Sequence, residues 1–521
     1  MNEHLPPLIV AMLRPEFYPD APAEVELRQT HISYVLLAGK RVYKIKKAVK
    51  FPFLDYSTLE KRRHFCAEEI RLNRRLAPDT YLGVVGIGRA GKEFFFEPDS
   101  TANAMEYAVK MKRLPDEWML SSLLARGAFD TNSFSAIAKK LAAFHLQASV
   151  EKAALYGAAA MIRANLEDNF RDMERFLGRT VSRISFDAMK NYSAAFQEQQ
   201  AELIAGRPAA GRVCEGHGDL RAEHICLVDG IEIFDCVEFD PALRYCDIAS
   251  EIGFLSMDLD FLDFAESANR FENNYAAVAR DTALATLLPF YKSYRACVRG
   301  KVESLKSEER EIAPEDRRRA SLQALRYFCL GTRYTRAARP PMLIAVGGLI
   351  GTGKSTFAGL IGALTGFAVF SSDLERKQLA GAAPTERKGD RFQQGIYSAE
   401  FTEKTYARLI DRADRCLNSG RGVVIDASFA AARQRRPFLE LANRRAVPAL
   451  FVECESAERI VQARLAARQS DPAAVSDADW ETHKQMRQRF EPFSELAGES
   501  RLILSTDPGA AIALDKLQAR L

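Results

Sequence analysis

Hydrophobic and polar positions follow different rules in the two ends of this chain. From about position 340 onward, short apolar runs alternate with stretches at helical spacing, as expected of parallel strands buried on both faces and joined by helices. Met342–Val346 predicts one buried strand, and Ala368–Ser371, Gly422–Ala427 and Ala449–Glu453 predict three more. Helices are expected over Phe401–Asn418, Ala457–Gln469 and Asp477–Ala497. Near the N-terminus the pattern is that of a hairpin, Val35–Leu37, a Gly39-Lys40 turn and Arg41–Lys46, whose second strand alternates faces. Val42, Lys44 and Lys46 share one face, and Lys46 and Lys47 read as solvated charges. A helix over Ser57–Leu76 follows, opened by a capping box of Ser57 and Glu60. Strands near Gly83–Ile87, Glu93–Glu97 and Tyr107–Met111 complete a sheet. From Trp118 to about Arg336 the spacing is mainly helical, as in Phe134–Ala148, where His145 reads as a core or capping histidine. One β-like island interrupts the helices, Val213–Val228 and Ile231–Phe239. A basic helix, Arg326–Arg339, runs to Pro340-Pro341, where the chain must leave the helix. The expected organisation is a small mixed lobe (1–115), a helical lobe (116–337) and an α/β domain (338–521).

Composition narrows this only modestly. At 521 residues the chain exceeds one ordinary core, and 47% apolar with 27% charged residues is ordinary globular material. A net charge of +4 sets up no global field for nucleic acid or membrane surfaces. No apolar run approaches the ~20 residues that span a bilayer, and the N-terminus, acidic and broken by prolines, makes a poor signal peptide. Nine scattered cysteines without a CxxC pair suit reduced, mostly buried thiols, and a cytoplasmic location.

The chemistry of the C-terminal part starts at Gly348-Leu-Ile-Gly351-Thr352-Gly353-Lys354-Ser355-Thr356, which fits GxxxxGK[ST] between an apolar strand and a helix pattern. Glycines let the backbone curl its N–H groups around a triphosphate, and the following helix offers its positive end. Lys354 would reach the β/γ oxygens and Ser355 would ligate Mg²⁺. Asp373 and Arg376 open a helix at the carboxyl end of the second strand, where ligands sit in such sheets. There Asp373 would take a proton from an acceptor hydroxyl, or merely cap its helix, and Arg376 would bind a phosphate. Asp426 ends an apolar strand as a Walker-B carboxylate holding Mg²⁺ would. Arg459, Arg464 and Arg468, before the loop 470–476, have the look of a lid over phosphates, or of an ordinary exposed helix. On GGLIGTGKST, SSDLER, VVIDASF and ARLAAR, the segment from about 340 to 500 resembles the P-loop kinases of the zeta-toxin, chloramphenicol-phosphotransferase and polynucleotide-5′-kinase group. That resemblance implies that Asp373 is the acceptor-activating base and Arg376 its phosphate partner.

In the N-terminal part, His217-Gly218-Asp219 and Asp235 supply the two carboxylates that phosphoryl transfer needs, one to orient the nucleophile and one to hold a metal. Lys44 is the candidate donor-binding lysine, anchored by Glu69 or by Glu68. The segments Val42-Tyr-Lys44, Leu141–His145, HGDLRAEH, IFDCVEFDPALRYCDIA and Tyr294-Arg-Ala resemble the aminoglycoside-phosphotransferase and choline-kinase-like family, which shares the protein-kinase fold. The whole chain looks like the branch in which this unit is fused to a P-loop unit. The family motif HGDxxxxN ends in a metal-binding Asn, but His224 stands here. Imidazole suits softer ions than Mg²⁺, so Asp235 carries the metal largely alone, or the site prefers Mn²⁺ with His224 as a ligand, or this half is inactive. The expectation is an α+β protein-kinase-like two-lobed domain followed by an α/β P-loop domain with a parallel sheet. Each would transfer the γ-phosphoryl of ATP or GTP to a small-molecule hydroxyl. The alternatives are a nucleic-acid end kinase with Arg326–Arg339 and Arg433–Arg445 as phosphate rails, and a nucleotide-sensing switch with an inactive kinase-like half.

Overall fold

The computed structural model describes residues 5–51, 54–97, 104–383, 386, 395–469, 479–496, 498–507 and 509–521. By contact the chain divides into two compact units, Met1–Ala164 with Gln197–Lys292, and Asn165–Phe196 with Ser293–Leu521. This division is not the one read along the sequence, since part of the helical region packs with the C-terminal sheet.

The first unit opens with six antiparallel strands, β1 (Val25–Gln29), β2 (Ser33–Ala38), β3 (Arg41–Lys46), β4 (Tyr81–Ala90), β5 (Glu93–Phe96) and β6 (Glu106–Lys112), in the order β1-β2-β3-β6-β4-β5. The hairpin is as expected: Leu37 faces Val42, and Gly39 takes the positive φ of 56° that so short a turn requires. Helix Leu59–Asn73 packs over β4 and β6. Its cap is Thr58, whose hydroxyl accepts from the Lys61 N–H, and not Ser57, which binds the Asp55 carboxylate instead. Val42 belongs to the core beneath this helix, with Leu37, Ile70, Tyr81 and Val109. The lysines sharing its face therefore point under the helix as well. Lys46 is 1% exposed, which corrects its reading as a solvated charge.

Helices Ser133–Gln147, Ile248–Phe261 and Ala265–Ala279 belong to the same unit, as does the β-like island. The island consists of two short antiparallel pairs, Val213–Glu215 with Tyr245–Asp247 and Ile225–Cys226 with Glu232–Ile233. Asp235 lies beyond the last of these strands, not in it, and has a φ of +64°.

The second unit is built on five parallel strands, β7 (Leu343–Gly347), β8 (Ala368–Ser371), β9 (Val423–Asp426), β10 (Ala449–Glu455) and β11 (Arg501–Ser505), ordered β8-β9-β7-β10-β11. The sequence reading misses β11, an edge strand that is only partly buried. Alternate residues face opposite layers. Ile344, Val346, Val424 and Val452 pack with Phe357, Leu360 and Leu514 on one side. Leu343, Ala345, Ile425 and Phe451 pack with Leu409, Phe438 and Leu441 on the other. Leu325 and Cys329 of helix Pro314–Arg333 join the first layer. That helix ends at Arg333, so the prolines at 340 and 341 follow its end and do not cause it. The long helix expected from Asp477 is short, Trp480–Arg487, and beyond it Phe493 drops into the core. Of the nine cysteines, eight are buried, and no described helix is long and apolar enough to cross a membrane.

Candidate active sites

In the first unit the turn after Ile233 and the strand β3 bring together residues 191 positions apart. Lys44 Nζ lies 2.7 Å from Asp235 Oδ1 and 2.9 Å from Glu69 Oε1. Glu69, fully buried, is thus the anchor, while Glu68 turns outward to Arg71. Behind this pair stands a second one: Lys46 Nζ is 2.7 Å from Glu69 Oε2 and also contacts Glu238, which receives the Tyr56 hydroxyl. Sequence reasoning assigned no role to Lys46, Tyr56 or Glu238. The only signal in the sequence was the alternation that puts Lys46 on the face of Val42; the demand for buried carboxylates arises once the helix covers that face. Burial opposes the Lys44 charge, but Asp235 and then Glu69 outweigh it and hold the ammonium form well above its usual range. Depth in the cleft likewise opposes ionisation of Asp235, although 43% of its side-chain surface stays accessible. Lys44, and after it His224, overcome that and keep the carboxyl well below its usual range.

Asp219 faces the same cleft, its carboxylate held in a two-pronged contact by Arg221, both bonds at 3.0 Å. His224 stands between the two aspartates, with Nδ1 3.6 Å from Asp219 Oδ2 and Nε2 3.7 Å from Asp235 Oδ2. Its Nδ1 lies 2.8 Å from the Asp219 carbonyl and donates to it, which turns Nε2 toward Asp235. An imidazole nitrogen beside a carboxylate fits Mn²⁺ better than Mg²⁺. The loop is fixed from behind. Glu251 receives the His217 backbone N–H and lies 3.2 Å from His145, whose other nitrogen is 2.7 Å from Tyr275 Oη.

In the second unit, the strand β7 ends in the phosphate loop. Gly348, Gly351 and Gly353 have φ of 134°, 82° and 91°, all in the region that favours glycine. A Cβ on Gly348 would come within 2.4 Å of the Cys454 carbonyl. Thr352 is buried, its hydroxyl bonded to the Leu349 carbonyl at 2.7 Å. Lys354, Ser355 and Thr356 open the helix Lys354–Thr365. Register sets the carboxylates: Asp426 of β9 lies beside Val346 of β7 and Ser371 of β8, at the carboxyl ends of all three strands. Asp426 is 4% exposed, and its Oδ1 has no hydrogen-bond partner. Burial pushes this carboxyl up, against the pull of Lys354 and the Ser355 and Ser371 hydroxyls. A buried, unsatisfied carboxylate oxygen beside a serine hydroxyl suits a divalent cation such as Mg²⁺, which Ser355 and Asp426 would hold, neutralising phosphate charge.

Asp373 lies in the first turn of helix Ser372–Leu379, whose cap residue, Ser371, makes no side-chain cap bond. With Lys354 it lines a cavity of 640 Å³, walled further by Tyr406, Gln434 and Met486. Arg376 also lines this space. It is 7% exposed and donates to the Ile396 carbonyl and Thr402, with its guanidinium 5.0 Å from the Tyr397 ring centre. No carboxylate among the described residues pairs with it, and its Nε has no hydrogen-bond partner.

Several arginines expected to meet phosphates are engaged by the protein itself. Arg464 donates to the Gly351 carbonyl and to Thr506, so it braces the phosphate loop from outside. Arg468 is half-buried on the same helix, and the expected lid loop 470–476 lies outside the described residues. In the Arg433–Arg445 stretch, Arg435 is fully buried on Glu495 and the Phe429 and Glu491 carbonyls. Arg436 pairs with Glu440 and Arg445 with Asp414. A continuous phosphate rail is therefore not formed there.

Comparison with known proteins places these sites in context. Residues 343–493 match the model of an AAA domain. The uncharacterized protein Rv2004c of Mycobacterium tuberculosis is 31% identical over 470 residues, 88% of this chain and 91% of that protein. A choline/ethanolamine kinase family protein from Mesorhizobium loti is 11% identical over 64% of this chain and 99% of its own, with a TM-score of 0.37. A gluconokinase from Sinorhizobium meliloti is 18% identical over 36% of this chain and 91% of its own, with a TM-score of 0.24. Both scores are low, and the fold assignment stands on the two sheets and their site residues: an α+β, protein-kinase-like part followed by an α/β P-loop part. The long match to Rv2004c spans both parts, and this chain belongs to the family of these mycobacterial proteins, a kinase-like half and an AAA-type P-loop half in one polypeptide.

Proposed function

We propose that the protein is a bifunctional ATP- or GTP-dependent phosphotransferase of the cytoplasm, with one acceptor site in each half. One observation carries the reading. Each half gathers a lysine for the donor phosphates, a carboxylate suited to a divalent cation and a second carboxylate, Asp373 on the wall of a cavity and Asp219 partly exposed in the grip of Arg221. In the P-loop half these are Lys354, Asp426 and Asp373; in the kinase-like half, Lys44, Asp235 and Asp219. In both, the aspartate takes the proton of the acceptor hydroxyl as its oxygen bonds to the γ-phosphorus, and the nucleoside diphosphate leaves. The cavity beside Lys354 has the volume of a small-metabolite site, and its mixed polar and aromatic walls suit a hydroxylated small molecule. His224 makes the kinase-like half the one served better by Mn²⁺.

The test is nucleotide turnover against a library of hydroxylated metabolites, run in Mg²⁺ and in Mn²⁺, for the wild type and for Asp219→Ala and Asp373→Ala. Each substitution should lower transfer to one set of acceptors by about 10²–10⁴-fold and leave the other set untouched. If neither change lowers turnover with any acceptor, the assignment of the two aspartates is wrong.

A further inference from the structure

Helix Trp480–Arg487 carries a residue that the phosphate-loop motif does not include. His483 is 4% exposed, and its Nδ1 lies 2.8 Å from the carbonyl oxygen of Ile350, inside the loop. A carbonyl can only accept, so Nδ1 carries the proton. The imidazole is held flat against the Trp480 ring, with centroids 5.0 Å apart and planes within 9°. The Ile350 side chain packs on Val461 and Leu465, with Trp480 and Met486 against the same cluster. The next carbonyl, that of Gly351, receives Arg464 at 3.3 Å. The fit is close: a Cβ on Gly351 would come within 2.7 Å of Val461.

We propose that His483 is a positioning residue for the phosphate loop, fixing the Ile350–Gly351 peptide in the orientation that binds nucleotide. In a trans peptide the C=O and the following N–H point in opposite directions. Pulling the Ile350 carbonyl toward His483 therefore turns the Gly351 N–H to the other side, where a phosphate would accept from it. Arg464 acts in the same sense on the Gly351–Thr352 peptide. Thr482 and Met486, on either side of His483, line the cavity that holds Asp373, so one short helix sets both the loop and the cavity wall. This inference rests on the reading of residues 348–356 as a nucleotide cradle.

Calorimetric titration of the full chain with a non-hydrolysable ATP analogue and Mg²⁺ tests it, using His483→Ala, His483→Asn and His483→Gln with Lys354→Ala as control. Asparagine can place its amide nitrogen where Nδ1 stands, whereas glutamine places it where Nε2 stands. Alanine and glutamine should weaken the P-loop affinity about five- to tenfold, the worth of one hydrogen bond, and asparagine should stay within about twofold of wild type. Wild-type affinity in His483→Gln, or asparagine as weak as alanine, overturns the proposal. Should His483→Ala fail to fold, the asparagine–glutamine comparison decides alone. Binding that Lys354→Ala removes but no change at 483 alters sinks this inference only. A wild type with no Lys354-dependent binding sinks the nucleotide reading along with it.

Discussion

At the residue scale, His217 ties the fold to pH. It is fully buried, with Nε2 2.8 Å from the Phe234 carbonyl. Burial pushes the imidazole down to about 4 from its ordinary 6.5, despite Glu251 nearby. Between those values the unfolded chain binds the proton and the folded chain refuses it, so stability rises with pH across that window. The contribution is complete above pH 6.5 and lost by pH 4, about 3 kcal/mol in all. Glu251 continues the trend. Burial opposes its ionisation, but His145 holds its carboxyl down to about 2 from 4.5, so its share is lost below pH 4.5. Urea denaturation at stepped pH should show unfolding free energy falling from pH 6.5 downward. His217→Gln, which can still donate to Phe234, should flatten the upper part of that slope. A slope unchanged by the substitution would place the acid sensitivity elsewhere. Lys46 is the counter-example in legibility. Alternation put it on the face of Val42, yet nothing local says that a helix will cover that face, and only the cover makes Lys46 an internal cation.

At the scale of elements, helix Ala432–Arg444 is held by Arg435, one of its own residues. The guanidinium bonds the Phe429 carbonyl at 2.6 Å and the Glu491 carbonyl at 2.9 Å, pairs with Glu495, and lies 4.4 Å from the centre of the Phe493 ring. It thus pins the turn after Asp426, where Phe429 takes a φ of +49°, to the segment following the helix of His483. Arg435→Met leaves several buried acceptors unpaired and should cost about 3–5 kcal/mol of unfolding free energy. Arg435→Lys should recover little of it, since one ammonium cannot span a planar fork's partners. Equal stability of the lysine variant and wild type in urea denaturation would contradict this. The sequence hid the element because Pro437 lies inside it and its arginines read as a phosphate rail. Strand β11 was hidden for another reason: at the edge of the sheet its residues are only partly buried, and the apolar run is weak.

At the scale of the whole molecule, the proposed pair of nucleotide sites fixes a stoichiometry. Calorimetry with ATP analogue and Mn²⁺ should count two nucleotides per chain. Lys354→Ala should remove one and Asp235→Asn the other; a single site abolished by Lys354→Ala would leave the kinase-like half without chemistry.

What the sequence determined by itself was whatever depends on neighbours along the chain. The phosphate loop needs glycines at fixed spacing between strand and helix, β7 to β10 need unbroken apolar runs, and the hairpin of Lys44 needs alternation and a two-residue turn. Each of these demands is local, and each is legible. Tertiary structure alone decided which groups from distant segments meet. It set His224 between Asp219 and Asp235, buried Lys46 against Glu238, turned Arg464 to the outside of the loop and brought His483 to the Ile350 carbonyl. The physical reason is that a side chain's charge, exposure and partners are set by what packs over it, and a one-dimensional pattern carries that information only for residues within a turn or two.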